Sequence, residues 1–69
     1  MILVNSAMMQ NAIIELLEEN GFKNTQKQGL KLYFETPTED QTADAATAKQ
    51  LIKTSPFGAA LFFNVEVIS

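Results

Sequence analysis

The strongest constraint on the fold is an alternation of apolar and polar residues in the middle of the chain. Residues 30–35 spell LKLYFE, so that Leu30, Leu32 and Phe34 share one face and Tyr33 lies on the other. This period of two predicts a β-strand with one buried face and one face open to solvent. Apolar residues at helical spacing occur both before and after it, which indicates a mixed α+β domain.

The chain before this strand predicts a shorter strand and then a helix. Residues 2–4 are wholly apolar, as expected of a central strand that is covered on both faces. Asn5 and Ser6 carry side-chain oxygens that suit the start of a helix. Across residues 7–20 the apolar positions recur at helical spacing, and Gly21 suits the residue that ends a helix.

Residues 22–28 are polar apart from Phe22, and they precede Gly29, which can turn the chain. We interpret this segment as a weak strand that forms a hairpin with the central one. Its two lysines, Lys23 and Lys27, suit the edge of a sheet, where charged side chains discourage pairing with other chains.

A second helix and a final strand follow. Thr38 and Gln41 form the pattern of a capping box, which predicts a helix that runs to about Lys53 or Thr54. Residues 55–58 contain proline and glycine and end this helix. Residues 60–68 alternate and are rich in β-branched and aromatic side chains, so they predict a long and mostly apolar strand.

The resulting order is β-α-β-β-α-β in a single domain that spans residues 1–69. This order predicts a ferredoxin-like two-layer sandwich, in which an antiparallel sheet has the strand order 4-1-3-2 and both helices lie on one face. The second and fourth strands are then the edges. The fourth is an unusual edge because it is long and apolar.

The open face of this sheet and its last strand form the predicted interaction surface. The candidate interface residues are Tyr33, Phe62, Asn64, Glu66 and Ile68. A chain of 69 residues buries little apolar surface, and this one has no cysteine for a disulfide. Self-association is the remaining common source of stability, so we expect a homodimer or a complex with another protein.

The composition argues against several classes of function. Neither cysteine nor histidine is present, and no two carboxylates are placed to act on one bond. We therefore expect that the protein is not an enzyme and that it binds neither a metal ion nor a cofactor. Scattered lysines without arginine, with a net charge of -3, argue against binding to duplex nucleic acid. No segment suits a membrane span or a signal peptide, which predicts a cytoplasmic protein.

Residues 6–15, SAMMQNAIIE, resemble the start of the first helix in heavy-metal-associated domains, which have the same element order. The resemblance implies the same fold. In that family a Cys-x-x-Cys metal site falls at the positions of Ser6 and Met9. A hydroxyl and a thioether make a poor site for a soft metal, so we do not expect the family's metal-carrier activity. We interpret Met8 and Met9 as packing residues in the core and at its rim.

Residues 29–36, GLKLYFET, together with the alanines of the second helix, resemble part of the RNA-recognition motif. That family stacks bases on aromatic side chains of the open sheet face. Here Leu30 and Leu32 occupy the stacking positions, which leaves Tyr33 and Phe62 as the aromatic residues for such a role. Acidic residues beside them repel phosphate.

The leading hypothesis is a small non-catalytic protein-interaction or regulatory module that acts as a homodimer. One alternative is a sensor similar to ACT domains, in which a small ligand binds at a dimer interface of the same fold. A second alternative is a protein that binds single-stranded nucleic acid.

Overall fold

The structure is a computed structural model and describes residues 1–68. Its main elements, in chain order, are the strand β1 (Ile2–Ser6), the helix α1 (Gln10–Glu19), the strands β2 (Lys23–Gln28) and β3 (Lys31–Glu35), the helix α2 (Gln41–Thr54) and the strand β4 (Phe63–Val67). A short 3-10 helix, Gly58–Ala60, connects α2 to β4. The β-α-β-β-α-β order predicted from the sequence is confirmed.

The four strands form one antiparallel sheet in the order β2-β3-β1-β4. From the other edge, this is the predicted order of 4-1-3-2. Both helices share one buried cluster with the same face of the sheet, so they form the second layer of a two-layer sandwich. The predicted α+β fold is therefore confirmed, and the strand order is compatible with the predicted two-layer sandwich.

The core lies between the sheet and the helices. Ile2 pairs with Phe34 and Val4 pairs with Leu32, so alternate residues of the two central strands point toward the helices. Helix residues and Phe22 complete the buried cluster, whose members are Ile2, Val4, Ile13, Leu17, Phe22, Leu32, Phe34, Ala48 and Ile52. Full burial of one large side chain of this kind contributes about 1.5–3 kcal/mol to stability.

Helix α1 begins at Gln10 and not at residue 7 as predicted. Strand β1 continues to Ser6, and Met9 adopts a left-handed conformation with a φ of 59°. A left-handed residue other than glycine costs about 1–2 kcal/mol, so the chain is strained at this point. The predicted capping role of Asn5 and Ser6 is wrong, because the Ser6 hydroxyl donates to the carbonyl oxygen of Met8 at 2.7 Å.

The side chain of Gln10 holds the start of α1 in place. Its amide nitrogen donates to the carbonyl oxygen of Ser6 at 2.8 Å and to that of Gly29 at 2.7 Å. Ser6 ends β1, and Gly29 lies in the turn between β2 and β3. One side chain thus ties a helix start to two parts of the sheet.

The end of α1 fits the role predicted for Gly21, whose φ is 91°. The amide of Gly21 donates to the carbonyl of Glu18 at 3.3 Å, and the amide of Phe22 donates to the carbonyl of Leu17 at 3.0 Å. These two bonds form a Schellman motif, which satisfies carbonyl groups left free at a helix end. The motif turns Phe22 into the core immediately before β2 begins.

Helix α2 has Asp40 as its N-cap, and not Thr38 as predicted. The Asp40 carboxylate accepts a hydrogen bond from the amide of Ala43 at 3.1 Å, as side chains at this position commonly do. Thr38 instead donates to Asp44 Oδ2, from its hydroxyl at 2.7 Å and from its amide at 3.1 Å. Asp44 is buried, and its bonds hold the segment before α2 against the first turn of the helix.

Strand β4 covers Phe63–Val67 and is shorter than the predicted strand of residues 60–68. The segment Gly58–Ala60 forms a 3-10 helix and delays the start of the strand. A Cβ atom at Gly58 would overlap the carbonyl oxygen of Ile52 near the end of α2. The absence of a side chain at this position therefore lets the chain leave α2 and enter β4.

Candidate functional site

The outer edge of β4, which we call the β4 edge, presents the backbone groups of Phe63, Val65 and Val67. The amide of Ile68 donates to the carbonyl of Met1 at 3.0 Å, so Ile68 and Met1 form a hydrogen-bonded pair. Along an antiparallel ladder, hydrogen-bonded pairs alternate with pairs that exchange no hydrogen bond, so every second residue of β4 counted back from Ile68 bonds to β1. The residues between the three therefore direct their backbone groups at β1. Those of the β4 edge point the other way, where no strand pairs with β4 among residues 1–68.

The side chains of the β4 edge give it little protection against a further strand. Phe63 and Val65 pack against the rim of the core, and Val67 is 46% exposed. The pairing of β4 with β1 is regular throughout, without a bulge. The strand FNVEV contains neither lysine nor proline, which are the residues that commonly guard an exposed edge.

The opposite edge of the sheet, formed by β2, is protected. Its sequence is KNTQKQ, and its pairing with β3 shifts between Asn24 and Gln26, so Thr25 forms a bulge. The side-chain amide of Asn24 donates to the carbonyl oxygens of Tyr33 at 3.0 Å and of Gln26 at 3.1 Å. Charged side chains and bulges both discourage the addition of a strand.

Four of the five predicted interface residues lie along β4. Asn64 and Glu66 are on the open face of the strand, and both are exposed. Phe62 and Ile68 lie directly before and after the strand, so they extend the same row. Phe62 is 96% exposed, which makes it the most exposed of the large apolar side chains that the structure describes.

Tyr33 lies apart from the other predicted residues, in the middle of the open face. Leu3 pairs with Tyr33 on one side and with Glu66 on the other, so about 10 Å separates those two strands. Leu3 is only 7% exposed although it lies on the open face. Neighbouring side chains already cover the apolar centre of this face, and beside it Asn5 donates to Asn64 Oδ1 at 2.7 Å.

An apolar depression of about 180 Å³ lies at the end of the sheet where β4 begins. Its lining residues are Ala7, Met8, Ala60, Leu61 and Phe62. The loop after β1 supplies one wall, and the segment before β4 supplies the other. The depression therefore adds apolar surface at this end of the sheet, next to Phe62.

Three apolar residues near this end are more exposed than predicted. Met8 is 68% exposed and Met9 is also exposed, so their interpretation as core and rim packing is wrong. Leu30 was expected to share the buried face of Leu32 and Phe34, but it lies in the turn before β3 and is exposed. The turn breaks the alternation at its first residue.

A second hollow, of about 470 Å³, lies at the start of α1 beside Lys27. The side-chain amide of Gln10 already donates to the carbonyl oxygens of Ser6 and Gly29. Every buried side-chain nitrogen and oxygen atom in the described part of the chain has a hydrogen-bond partner. This hollow consequently shows no buried polar atom without a hydrogen-bond partner.

The remaining chemistry of the described residues is sparse. Within residues 1–68 no three acidic side chains gather into a group that can hold a metal ion. No helix there is long and apolar enough to cross a membrane. Comparison with models of protein families, with curated proteins and with solved structures gives no match. The geometry of the β4 edge is therefore the basis for assigning a function.

Proposed function

We propose that the protein is a small non-catalytic interaction module that binds a protein partner by adding a strand to its sheet at the β4 edge. The observation that carries this proposal is the set of outward backbone groups at Phe63, Val65 and Val67. An added strand satisfies such groups through main-chain hydrogen bonds, and contacts with alternate side chains supply selectivity.

The β4 edge supports this function better than the open face of the sheet does. On the open face, Leu3 is already covered by its neighbours. At the edge, Val65 and Val67 point toward the helix layer but stay partly exposed. A strand laid beside β4 would cover these two valines and would gain the free energy of burying apolar surface.

The residue chemistry favours binding over catalysis. The chain has no histidine, which is the side chain most often used for proton transfer near neutral pH, and no cysteine nucleophile. Within residues 1–68, no three carboxylates gather into a group that could hold a catalytic metal ion. A role that uses backbone hydrogen bonds and apolar contact needs none of these groups.

The proposal is tested by fusing a strand to the chain. A glycine-serine linker and a segment of roughly eight alternating valines and threonines, attached after the last residue, hold the strand at a local concentration in the millimolar range. Pairing gives the amides of Phe63, Val65 and Val67 new acceptors. Relative to the unfused chain at a concentration where it is monomeric, we expect their hydrogen exchange, measured by NMR, to slow by about tenfold, as one net hydrogen bond allows.

The control for this experiment carries Val65→Pro in the fused chain. Proline removes an outward N–H and leaves the bonds between β4 and β1 in place. The amide of Lys27 on the β2 edge serves as an internal reference, because Leu32 opposite it bonds to β1. Unchanged exchange at the β4 edge, or equal slowing at Lys27, contradicts the proposal.

A further inference from the structure

We infer that the added strand is β4 of a second copy of this chain, paired antiparallel about a two-fold axis that passes through Val65. This inference rests on the proposed function and names its partner. The reason is that the edge is complementary to itself in one register only. The registers can be compared from the positions of the charged and apolar side chains along the strand.

Outward backbone groups can pair symmetrically about an axis at Asn64, at Val65 or at Glu66. An axis at Glu66 places the two copies of this carboxylate directly opposite each other, and like charges in that position destabilise a sheet. An axis at Asn64 places Phe62 opposite Glu66 of the second copy, which sets an apolar ring against a charge. Both registers also leave part of each β4 strand unpaired.

An axis at Val65 avoids these conflicts. It pairs the whole of Phe63–Val67 and forms about six backbone hydrogen bonds, two for each outward pair. Glu66 of each copy then lies opposite Asn64 of the other. Since Asn64 Oδ1 already accepts from Asn5 at 2.7 Å, its Nδ2 is the group that can donate to the Glu66 carboxylate across the axis.

The apolar residues match in the same register. Phe62, which is 96% exposed in one chain, lies opposite Ile68 of the second copy. Phe63 lies opposite Val67, which is 46% exposed. Cross-strand pairs of an aromatic and a β-branched residue are among the favourable pairs in antiparallel sheets. Phe62 of each copy thus acquires an apolar neighbour, Ile68 of the other copy, and the two pairs lie at opposite ends of the interface.

Assembly of this kind stops at two copies. When both β4 edges are paired, the joined sheet ends in a β2 strand on each side. Each β2 strand is polar and bulged, so a third copy finds no suitable edge. A two-fold interface that uses the same patch on both copies gives a closed dimer and not a fibre.

Two substitutions at Asn64 test this register. Asn64→Lys places opposite charges across the axis, whereas Asn64→Glu places like charges there. Lysine also removes the acceptor of the bond from Asn5, which the carboxylate of glutamate can still provide. Sedimentation equilibrium measures the dissociation constant of the dimer. Because each change acts twice in the interface, we expect the constant to fall by roughly two- to thirtyfold for lysine and to rise by a similar factor for glutamate.

Matched substitutions on β2 separate this effect from the change in net charge. Gln26→Lys and Gln26→Glu alter the charge of the chain equally but lie on the opposite edge of the sheet. We expect them to change the dissociation constant by less than about twofold. Equal effects at Gln26 and Asn64 would show that overall charge, and not register, controls association.

A pair of proline substitutions tests the use of the edge itself. Val65→Pro removes an outward N–H at the proposed axis and should give a folded monomer, with circular dichroism confirming the fold. Lys27→Pro removes an outward N–H from the β2 edge and should leave the dimer intact. A dimer that persists in folded Val65→Pro overturns the inference, because it must use another surface.

Three further results would overturn the inference. A wild-type chain that stays monomeric at about 1 mM has no self-pairing, and the fused-strand experiment then decides the proposed function separately. A dimer weakened by both Asn64 substitutions has its axis at Asn64, since each substitution then creates a like-charged pair. A dimer whose dissociation constant does not change with either Asn64 substitution has its axis at neither Asn64 nor Val65.

Discussion

The two edges of the sheet are treated in opposite ways. The β2 edge carries Lys23, Lys27 and a bulge at Thr25, whereas the β4 edge is regular, partly apolar and without lysine. Both strands belong to one sheet and have similar lengths. Protection against unwanted pairing is therefore built locally, strand by strand, and the β4 edge lacks the lysines and the bulge that protect the β2 edge.

The edges also differ in how the chain holds them. Strand β2 contributes no residue to the buried cluster and is anchored by Phe22, which lies just before it. Strand β4 lies beside β1 and packs under α2, after the close passage of Gly58 past Ile52.

The largest expected effect is at the anchor of β2. We expect Phe22→Ala to lower the free energy of unfolding by about 3–5 kcal/mol, because it removes a buried ring and leaves a cavity. This is a large part of the roughly 3–10 kcal/mol expected for a chain of this size. Urea denaturation measures this loss in the free energy of unfolding. The neighbouring Lys23→Ala should change stability by less than about 0.5 kcal/mol, and equal effects would remove the special role of Phe22.

At the anchor of β4 we expect Gly58→Ala to cost about 1–3 kcal/mol. Its Cβ would overlap the Ile52 carbonyl, so the segment before β4 must move. The same displacement should weaken association, since it shifts the start of the β4 edge. Lys53→Ala, on the exposed end of α2, is the matched control with little effect on either. A Gly58→Ala chain of normal stability would show that this passage is loose.

The link between the β2–β3 turn and α1 is expected to have an intermediate effect. Gln10→Ala removes two side-chain hydrogen bonds, to Ser6 and Gly29, and should cost about 1–2 kcal/mol. Hydrogen exchange should accelerate in β2 more than in β4, because the lost bond to Gly29 holds only the β2–β3 hairpin. Asn11→Ala, on the exposed side of the same helix, is the control, and uniform acceleration in both strands would contradict this assignment.

Much of the fold could be predicted from local patterns. The alternation in residues 30–35 and the glycine after α1 identify elements whose signals lie within a few residues of chain. The start of α1 could not be predicted in this way. Met9 takes a left-handed conformation that its side chain does not favour, and the contacts that hold it come from Gln10, β1 and a distant turn.

The candidate site was predicted in part. The polar character of β2 and the apolar character of β4 are visible in the sequence, so the contrast between the edges follows once the strand order is assumed. The direction of the backbone groups at Val65 depends on the pairing with β1, which no local pattern specifies. The separation of Tyr33 from the other residues has the same cause, since β1 lies between β3 and β4.

The smallest expected effect on stability, and the most direct test of the contrast, is at Val67. This residue is 46% exposed, so Val67→Lys should change the free energy of unfolding by less than about 0.5 kcal/mol. The substitution gives the β4 edge a lysine, as on the β2 edge. This lysine would lie opposite Phe63 of a second copy. We expect the dissociation constant from sedimentation to rise roughly tenfold.

The reverse substitution, Lys27→Val, shows which feature protects β2. If the bulge at Thr25 is sufficient, removal of this lysine leaves the association of the chain unchanged, because the backbone of β2 still cannot pair regularly. If association increases or continues beyond a dimer, the charge is the main protection. Val67→Lys with an unchanged dissociation constant would contradict the contrast itself, since the side chains of an edge would then not decide whether it pairs.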